Sequence, residues 1–143
     1  MAVALLWLQW LARGLRAADV SQLLRSPLVG SARVAGRARL ELRLRSLPDR
    51  EWLPAMVTAA LRGKEETPDA TDWLQRAAGL SKARRTVPAS APPADWAIMF
   101  DDILRAAGWP GESALDSADF QLVNRWRDLL NDLARMDLIS PRM

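Results

Sequence analysis

The sequence predicts an all-α protein, an orthogonal multi-helix domain of about six or seven helices. Alanine, leucine and arginine dominate the chain, whereas the β-branched residues valine, isoleucine and threonine are scarce. Proline and glycine recur between apolar segments that have helical spacing. A chain of 143 residues, half of them hydrophobic, is the size of one domain with one core.

The first helix is predicted over residues 2–17, where Leu5, Leu8 and Leu15 share one apolar face with Trp7 and Leu11. This segment lacks the basic start and the cleavage site of a signal peptide. It is also shorter than the ~20 apolar residues that cross a bilayer. We therefore expect a core helix of a cytoplasmic protein, without a membrane partner.

Proline and charged residues set the bounds of the next two helices. Asp19 is a candidate cap for the second helix, which must end before Pro27. The third is predicted over residues 32–44. Residues 39–45, at the end of this segment, alternate like a strand. None of these seven residues is β-branched, however, and Leu40 and Leu44 have helical spacing. We favour a helix here.

The fourth helix is predicted over residues 49–62, or with a later start, because Pro54 suits a first turn. The fifth is predicted over residues 69–78 and should end at Gly79. Residues 81–93, rich in proline and small residues, are the predicted linker.

The predicted domain therefore has three parts: a basic helical part over residues 1–80, the linker over 81–93, and a C-terminal helical pair over 94–143. In that pair, the sixth helix spans residues 94–107 and ends at Gly108, and the seventh spans residues 118–136 with Ser117 as its cap.

Composition excludes several kinds of chemistry. The chain has no cysteine and no histidine, so it lacks disulfides, thiolate metal ligands and the commonest general base. The net charge of +3 is uneven. Residues 1–64 carry eleven basic and four acidic residues, a balance of +7, and residues 65–143 carry nine and thirteen, a balance of −4. Such a basic half is typical of a polyanion-binding surface, and equally of a solvated helix face.

The catalytic motifs that the sequence approaches are incomplete. Thr58 stands where a phosphate-binding loop ending at Gly63-Lys64 needs its first glycine. Neither Pro-Asp pair is followed by the Asp/Glu-any-Lys pattern of magnesium-dependent nucleases. Asp128 and Asp132 share a helix face, but without a third carboxylate a solvated face is the better interpretation. We predict no catalytic residue, no metal site and no cofactor, and so a chain that is not itself an enzyme.

Arginines that follow the second helix are the clearest functional signal. Pairs four residues apart share a helix face, and they repel one another unless something neutralises them. Because arginine binds phosphate through two parallel hydrogen bonds, DNA backbone contact would explain the pattern. The alternative is that the arginines pair with the acidic half or with another domain. The predicted phosphate contacts are Arg25, Arg33, Arg37, Arg39 and Arg43.

Seven tryptophans are many for this length. Four of them lie among apolar neighbours at helical spacing and are predicted core residues: Trp52, Trp73, Trp96 and Trp126. Trp10 or Trp52 would suit base stacking if exposed in a basic groove.

Two segments carry a resemblance to a known family. The first is Leu23-Leu24-Arg25-Ser26-Pro27-Leu28-Val29-Gly30, followed by an Arg/Ala/Leu helix. The second contains Trp96, Gly108-Trp109-Pro110-Gly111-Glu112, Leu115-Asp116-Ser117, Asp119-Phe120-Gln121 and Trp126. In this order they resemble bacterial DNA-repair proteins of the AddB type, relatives of the RecBCD/AddAB helicase–nucleases, over roughly half of the chain.

That resemblance implies an α-helical subdomain inside a helicase-like body, with any nuclease domain far downstream. The chain would be a fragment or a separately expressed internal domain, because it lacks both the helicase ATP motifs and the nuclease motif. It implies DNA and other domains or subunits of a helicase–nuclease complex as partners. We expect a non-catalytic helical module that supports DNA binding or subunit architecture; the alternative is a protein–protein docking domain without direct DNA contact.

Overall fold

A computed structural model describes residues 2–30, 33–63, 67–111 and 115–138. In these residues it confirms the all-α prediction of six or seven helices, since the regular elements are seven α-helices and two short 3₁₀ helices. The α-helices are α1 (Ala2–Ala12), α2 (Ala17–Arg25), α3 (Ala38–Arg45), α4 (Pro54–Leu61), α5 (Pro68–Arg84), α6 (Pro93–Ala106) and α7 (Ser117–Arg135). The 3₁₀ helices are Val34–Arg37 and Met136–Leu138.

The first helix ends at Ala12, five residues earlier than predicted. The cause is a backbone pairing with a distant segment. The amide of Leu15 donates to the carbonyl oxygen of Trp52 at 2.9 Å, and the amide of Trp52 donates back at 2.8 Å. Since these backbone groups of Leu15 are bound to the segment before α4, they are withdrawn from the helical hydrogen-bond pattern.

Three tryptophans form the centre of the core, where α1 packs against α2, α5 and α6. The rings of Trp7, Trp10 and Trp73 lie 5.8 to 6.4 Å apart between centroids and are buried. The indole of Trp10 donates to the carbonyl oxygen of Trp52 at 2.8 Å. Core positions predicted for Trp52, Trp73 and Trp126 are confirmed, whereas Trp96 is only half-buried.

The fifth helix runs through Gly79 to Arg84, so the predicted end at Gly79 is wrong. The last turns of α5 bury Leu80 and pack Ala83 against the core. Arg84 also donates to the carbonyl oxygen of Trp10 at 2.7 Å. These contacts outweigh the cost of one helical glycine, about 1 kcal/mol. The irregular segment between α5 and α6 is therefore shorter than the predicted linker.

The remaining helices follow the predictions with local changes. The third segment is helical, but it opens as the 3₁₀ helix Val34–Arg37 before α3. The fourth helix takes the later start, with Pro54 in its first turn. The cap of α7 is Asp116 and not Ser117, because the Asp116 carboxylate accepts from the amide of Asp119 at 2.7 Å.

Across the described ranges, each helix is too short or too polar to cross a membrane.

Candidate functional site

The chain turns sharply after α2, and a buried arginine supports this turn. The guanidinium of Arg37 donates to the carbonyl oxygen of Ser26 at 2.9 Å and to that of Val29 at 2.6 Å. It also donates to the carbonyl oxygen of Leu24, in the last turn of α2, at 3.3 Å. Three carbonyl groups of one turn are thus satisfied by one side chain.

The burial of Arg37 corrects the predicted phosphate site. Its exposed fraction is 1%, so a phosphate on a partner cannot reach the guanidinium in this fold. Burial lowers the pKa of Arg37, and the nearby carboxylates of Asp72 and Asp69 oppose that shift. The residue is therefore part of the architecture of the turn.

A second predicted phosphate contact, Arg43, also serves the fold. Its guanidinium donates to the carbonyl oxygen of Leu61, the last residue of α4, at 2.5 Å. It lies so close to Gly63 that any side chain there would overlap it. A positive charge at a helix C-terminus is favourable, because the unpaired carbonyl groups carry partial negative charge. Arg43 thus joins α3 to the end of α4.

Two exposed arginines converge on one carboxylate of α3. Arg25 and Arg45 lie 3.5 and 3.3 Å from the carboxylate of Glu41, which also accepts from the hydroxyl of Ser21 at 2.8 Å. This cluster links the end of α2 to α3. Both arginines thus pair with an acidic residue inside residues 1–64, whereas the alternative interpretation expected their partners in the acidic half or in another domain.

The predicted arginines therefore do not form one surface of equivalent groups. Arg25, Arg33 and Arg39 are exposed, Arg43 is half-buried and Arg37 is buried. The structure also rules out base stacking by Trp10 or Trp52, whose exposed fractions are 0% and 6%.

The two segments that carry the family resemblance pack against each other. A Cβ atom added to Gly108 would lie 2.8 Å from the Cα atom of Gly30, and one added to Gly111 would overlap the carbonyl oxygen of Pro27. All three glycines have positive φ, at +67°, +74° and +97° for Gly30, Gly108 and Gly111. The approach of these two turns thus requires residues without side chains.

Hydrogen bonds fix the turn after α6. The amide of Gly108 donates to the carbonyl oxygen of Arg105 at 2.9 Å, and the amide of Trp109 donates to that of Leu104 at 3.0 Å. This is the Schellman arrangement, in which a left-handed glycine ends a helix. Beside it, Arg76 of α5 binds Asp72 at 2.9 Å and donates to the carbonyl oxygen of Ala106 at 3.1 Å.

An apolar stripe on α7 was not singled out from the sequence. The helix packs chiefly on α6, through Val123, Trp126 and Leu130. A second row of apolar side chains lies beside this buried face and is exposed. We call it the α7 stripe: Leu122 and Leu129 on α7, followed by Met136 at the start of the 3₁₀ helix Met136–Leu138. Its signal in the sequence is the spacing of seven residues, which places the three on one side of a helix.

The two carboxylates considered as a cation site on α7 gain no third metal-ligating side chain from the described residues. Asp128 and Asp132 are both exposed, and no group of three or more metal-ligating side chains occurs in the described parts of the chain.

Comparisons of this chain with protein-family models, with curated proteins and with solved structures found no match. The resemblance to AddB-type proteins therefore stays a prediction from the two sequence segments.

Proposed function

We propose that this chain is a non-catalytic helical module of a DNA-processing protein, and that its role there is architectural. In this role the α7 stripe docks onto a neighbouring domain or subunit, while Arg25, Arg37 and Arg43 stabilise the module itself. The observation that carries the proposal is the use of Arg37, the most buried of the five predicted phosphate contacts, as an internal support.

The contacts of the other arginines support the same assignment. Arg43 caps α4 through Leu61, and Arg25 is bound to Glu41 together with Arg45. An arginine engaged by carbonyl or carboxylate oxygens must give up those contacts before it binds a phosphate. The favourable free energy of a phosphate contact is therefore smaller for such an arginine than for one that makes no contact within the protein.

The α7 stripe supplies the docking surface. Leu122 is 37% exposed and Leu129 is 49% exposed, although both lie on α7, which already buries one face. A surface helix normally keeps one apolar face, which it turns to the core. An apolar row outside that face is typical of a helix that binds a second neighbour.

Direct DNA contact is the second candidate. It is favoured by the exposure of Arg25, Arg33 and Arg39, which lie on the basic half of the chain. In this case affinity would depend steeply on salt, since phosphate contacts release bound counterions.

Fluorescence anisotropy with labelled single-stranded and duplex DNA distinguishes the two candidates. The double variant Arg33→Glu/Arg39→Glu reverses the exposed charges of the basic segment. Arg105→Glu/Arg127→Glu is the matched control, with the same change of net charge on α6 and α7. The architectural role predicts weak binding that both variants change equally. Salt-dependent binding that falls tenfold or more only in the Arg33/Arg39 variant would overturn it.

A further inference from the structure

A groove between the end of α5 and the side of α6 is lined mainly by apolar side chains. Its volume of about 360 Å³ lies within the range of small-molecule sites, ~300–1,000 Å³. Helix α6 contributes Ile98, Met99 and Ile103, and Ala83 and Val87 line the groove from the end of α5 and the segment after it. The side chain of Ile98 is large and apolar, yet Ile98 is 61% exposed. The groove thus offers apolar contacts to a ligand that covers it.

Two carboxylates line the same groove. Asp95 and Asp102 are seven residues apart on α6, so they share one face of the helix and lie about 10.5 Å apart along its axis. On α6 they bracket the apolar residues Ile98 and Met99. Both aspartates are exposed, and neither forms an ion pair with another described residue. The groove therefore presents two negative charges with apolar surface between them.

Beyond Asp102 the groove continues into a second cavity of about 220 Å³, which passes over Gly79 and is also lined by Arg76. The guanidinium of Arg76 binds Asp72 at 2.9 Å and donates to the carbonyl oxygen of Ala106 at 3.1 Å. This positive charge is thus engaged within the protein, and the charge of Asp102 remains for a ligand.

We propose that the groove binds a linear diamine, a ligand with two ammonium groups joined by an apolar chain. The ammonium groups would bind Asp95 and Asp102, and the methylene chain would cover Ile98 and Met99. The class of ligand follows from charge complementarity, because both carboxylates repel an anion and a neutral chain gains no ionic hydrogen bond from them. This site is separate from the α7 stripe and does not depend on the proposed docking role.

The spacing of the carboxylates sets the length of the ligand. Octamethylenediamine in extended form separates its ammonium groups by about the length of two helical turns. Trimethylenediamine spans less than half of that length, so it reaches one carboxylate at a time. Because ion pairs with exposed carboxylates are weak, we expect an affinity in the millimolar range for the longer diamine.

Heteronuclear NMR of the full chain, titrated with octamethylenediamine at low salt, tests the site. Saturable shifts are expected for backbone amides of the residues that line the groove. Asp95→Asn and Asp102→Asn should each weaken binding at least threefold. Asp128→Asn is the matched control, with the same change of charge at an exposed position of α7, and it should leave the affinity unchanged. The spectrum of each variant also shows whether the fold is intact.

Two further ligands separate the contributions of length and charge. Trimethylenediamine keeps both charges on a short chain, and octamethylene glycol keeps the long chain without charge. Each should bind at least threefold more weakly than octamethylenediamine.

Three results would overturn the inference. The first is the absence of saturable shifts at the groove at millimolar concentrations of octamethylenediamine. The second is equal weakening in all three aspartate variants, which would show a general attraction to the acidic half of the chain. The third is a trimethylenediamine affinity equal to that of octamethylenediamine, which would show that the two carboxylates do not act together.

Discussion

Gly108 and Gly30 lie so close together that a Cβ atom on Gly108 would come within 2.8 Å of the Cα atom of Gly30. This contact is between two backbones, so no side chain can move aside to relieve it. It joins the turn after α2 to the turn after α6, and thus the basic N-terminal helices to the C-terminal pair.

Replacing Gly108 by alanine should destabilise the protein strongly. The new Cβ atom would overlap the backbone of Gly30, and the residue would have to keep a left-handed φ of +74°. Together these effects cost about 2 to 4 kcal/mol. Chemical denaturation monitored by tryptophan fluorescence measures the loss, and an unchanged free energy of unfolding would show that the two turns do not touch.

Replacing Gly79 by alanine should have the opposite effect. Gly79 lies inside α5, and a Cβ atom there would have, apart from its chain neighbours and the backbone of its own helix, no atom of the described residues within 4 Å. Alanine favours the helix over glycine by about 0.8 to 1 kcal/mol. The free energy of unfolding should rise by roughly that amount. A loss of stability would mean that α5 does end near Gly79.

Two conservative tryptophan substitutions should differ in their effect. The indole of Trp10 donates to the carbonyl oxygen of Trp52, whereas the buried indole nitrogen of Trp73 has no hydrogen-bond partner among the described residues. Phenylalanine removes a hydrogen bond at the first position and an unsatisfied donor at the second. Thermal or chemical denaturation should therefore show that Trp10→Phe costs about 1 to 2 kcal/mol more than Trp73→Phe. Equal losses would contradict this hydrogen-bond assignment.

Replacement of Glu41 tests the link between α2 and α3. Glu41→Gln keeps an acceptor for Ser21 but removes the charge that attracts Arg25 and Arg45. Because both arginines are exposed, this loss should be at most about 1 kcal/mol. It should also shrink at high salt, where exposed charges are screened. Glu41→Ala also removes the acceptor of Ser21, so it should lower the free energy of unfolding more than Glu41→Gln does at every salt concentration. Chemical denaturation at low and high salt measures both losses.

Several elements could be predicted from the sequence because their causes are local. Residues 39–45 contain no β-branched residue, and this was enough to favour a helix over a strand around Leu40 and Leu44. Pro54 predicted the start of α4 and Gly108 predicted the end of α6, because each residue has a backbone preference of its own. By contrast, the early end of α1 depends on Trp52, which is distant in sequence from Leu15.

In the candidate site, too, the features with local causes could be predicted from the sequence, and those that depend on distant residues could not. The arginine spacing is the same for Arg33 and Arg37 as for Arg39 and Arg43, yet burial separates the members of each pair. Spacing alone does not predict which guanidinium is buried. Arg37 is buried because the fold brings it next to the carbonyl groups of the turn after α2. The α7 stripe was visible as a spacing of seven residues, but its exposure depends on how α7 packs on α6.

Arg37 and Arg43 support the fold through backbone carbonyl groups, and the variant Arg37→Met measures how much Arg37 contributes. This variant keeps an apolar side chain of similar length but leaves the carbonyl oxygens of Leu24, Ser26 and Val29 without this donor. The free energy of unfolding should fall by about 3 to 5 kcal/mol, against at most about 1 kcal/mol for the exposed control Arg45→Ala. A folded Arg37→Met protein as stable as that control would show that Arg37 does not support the turn after α2.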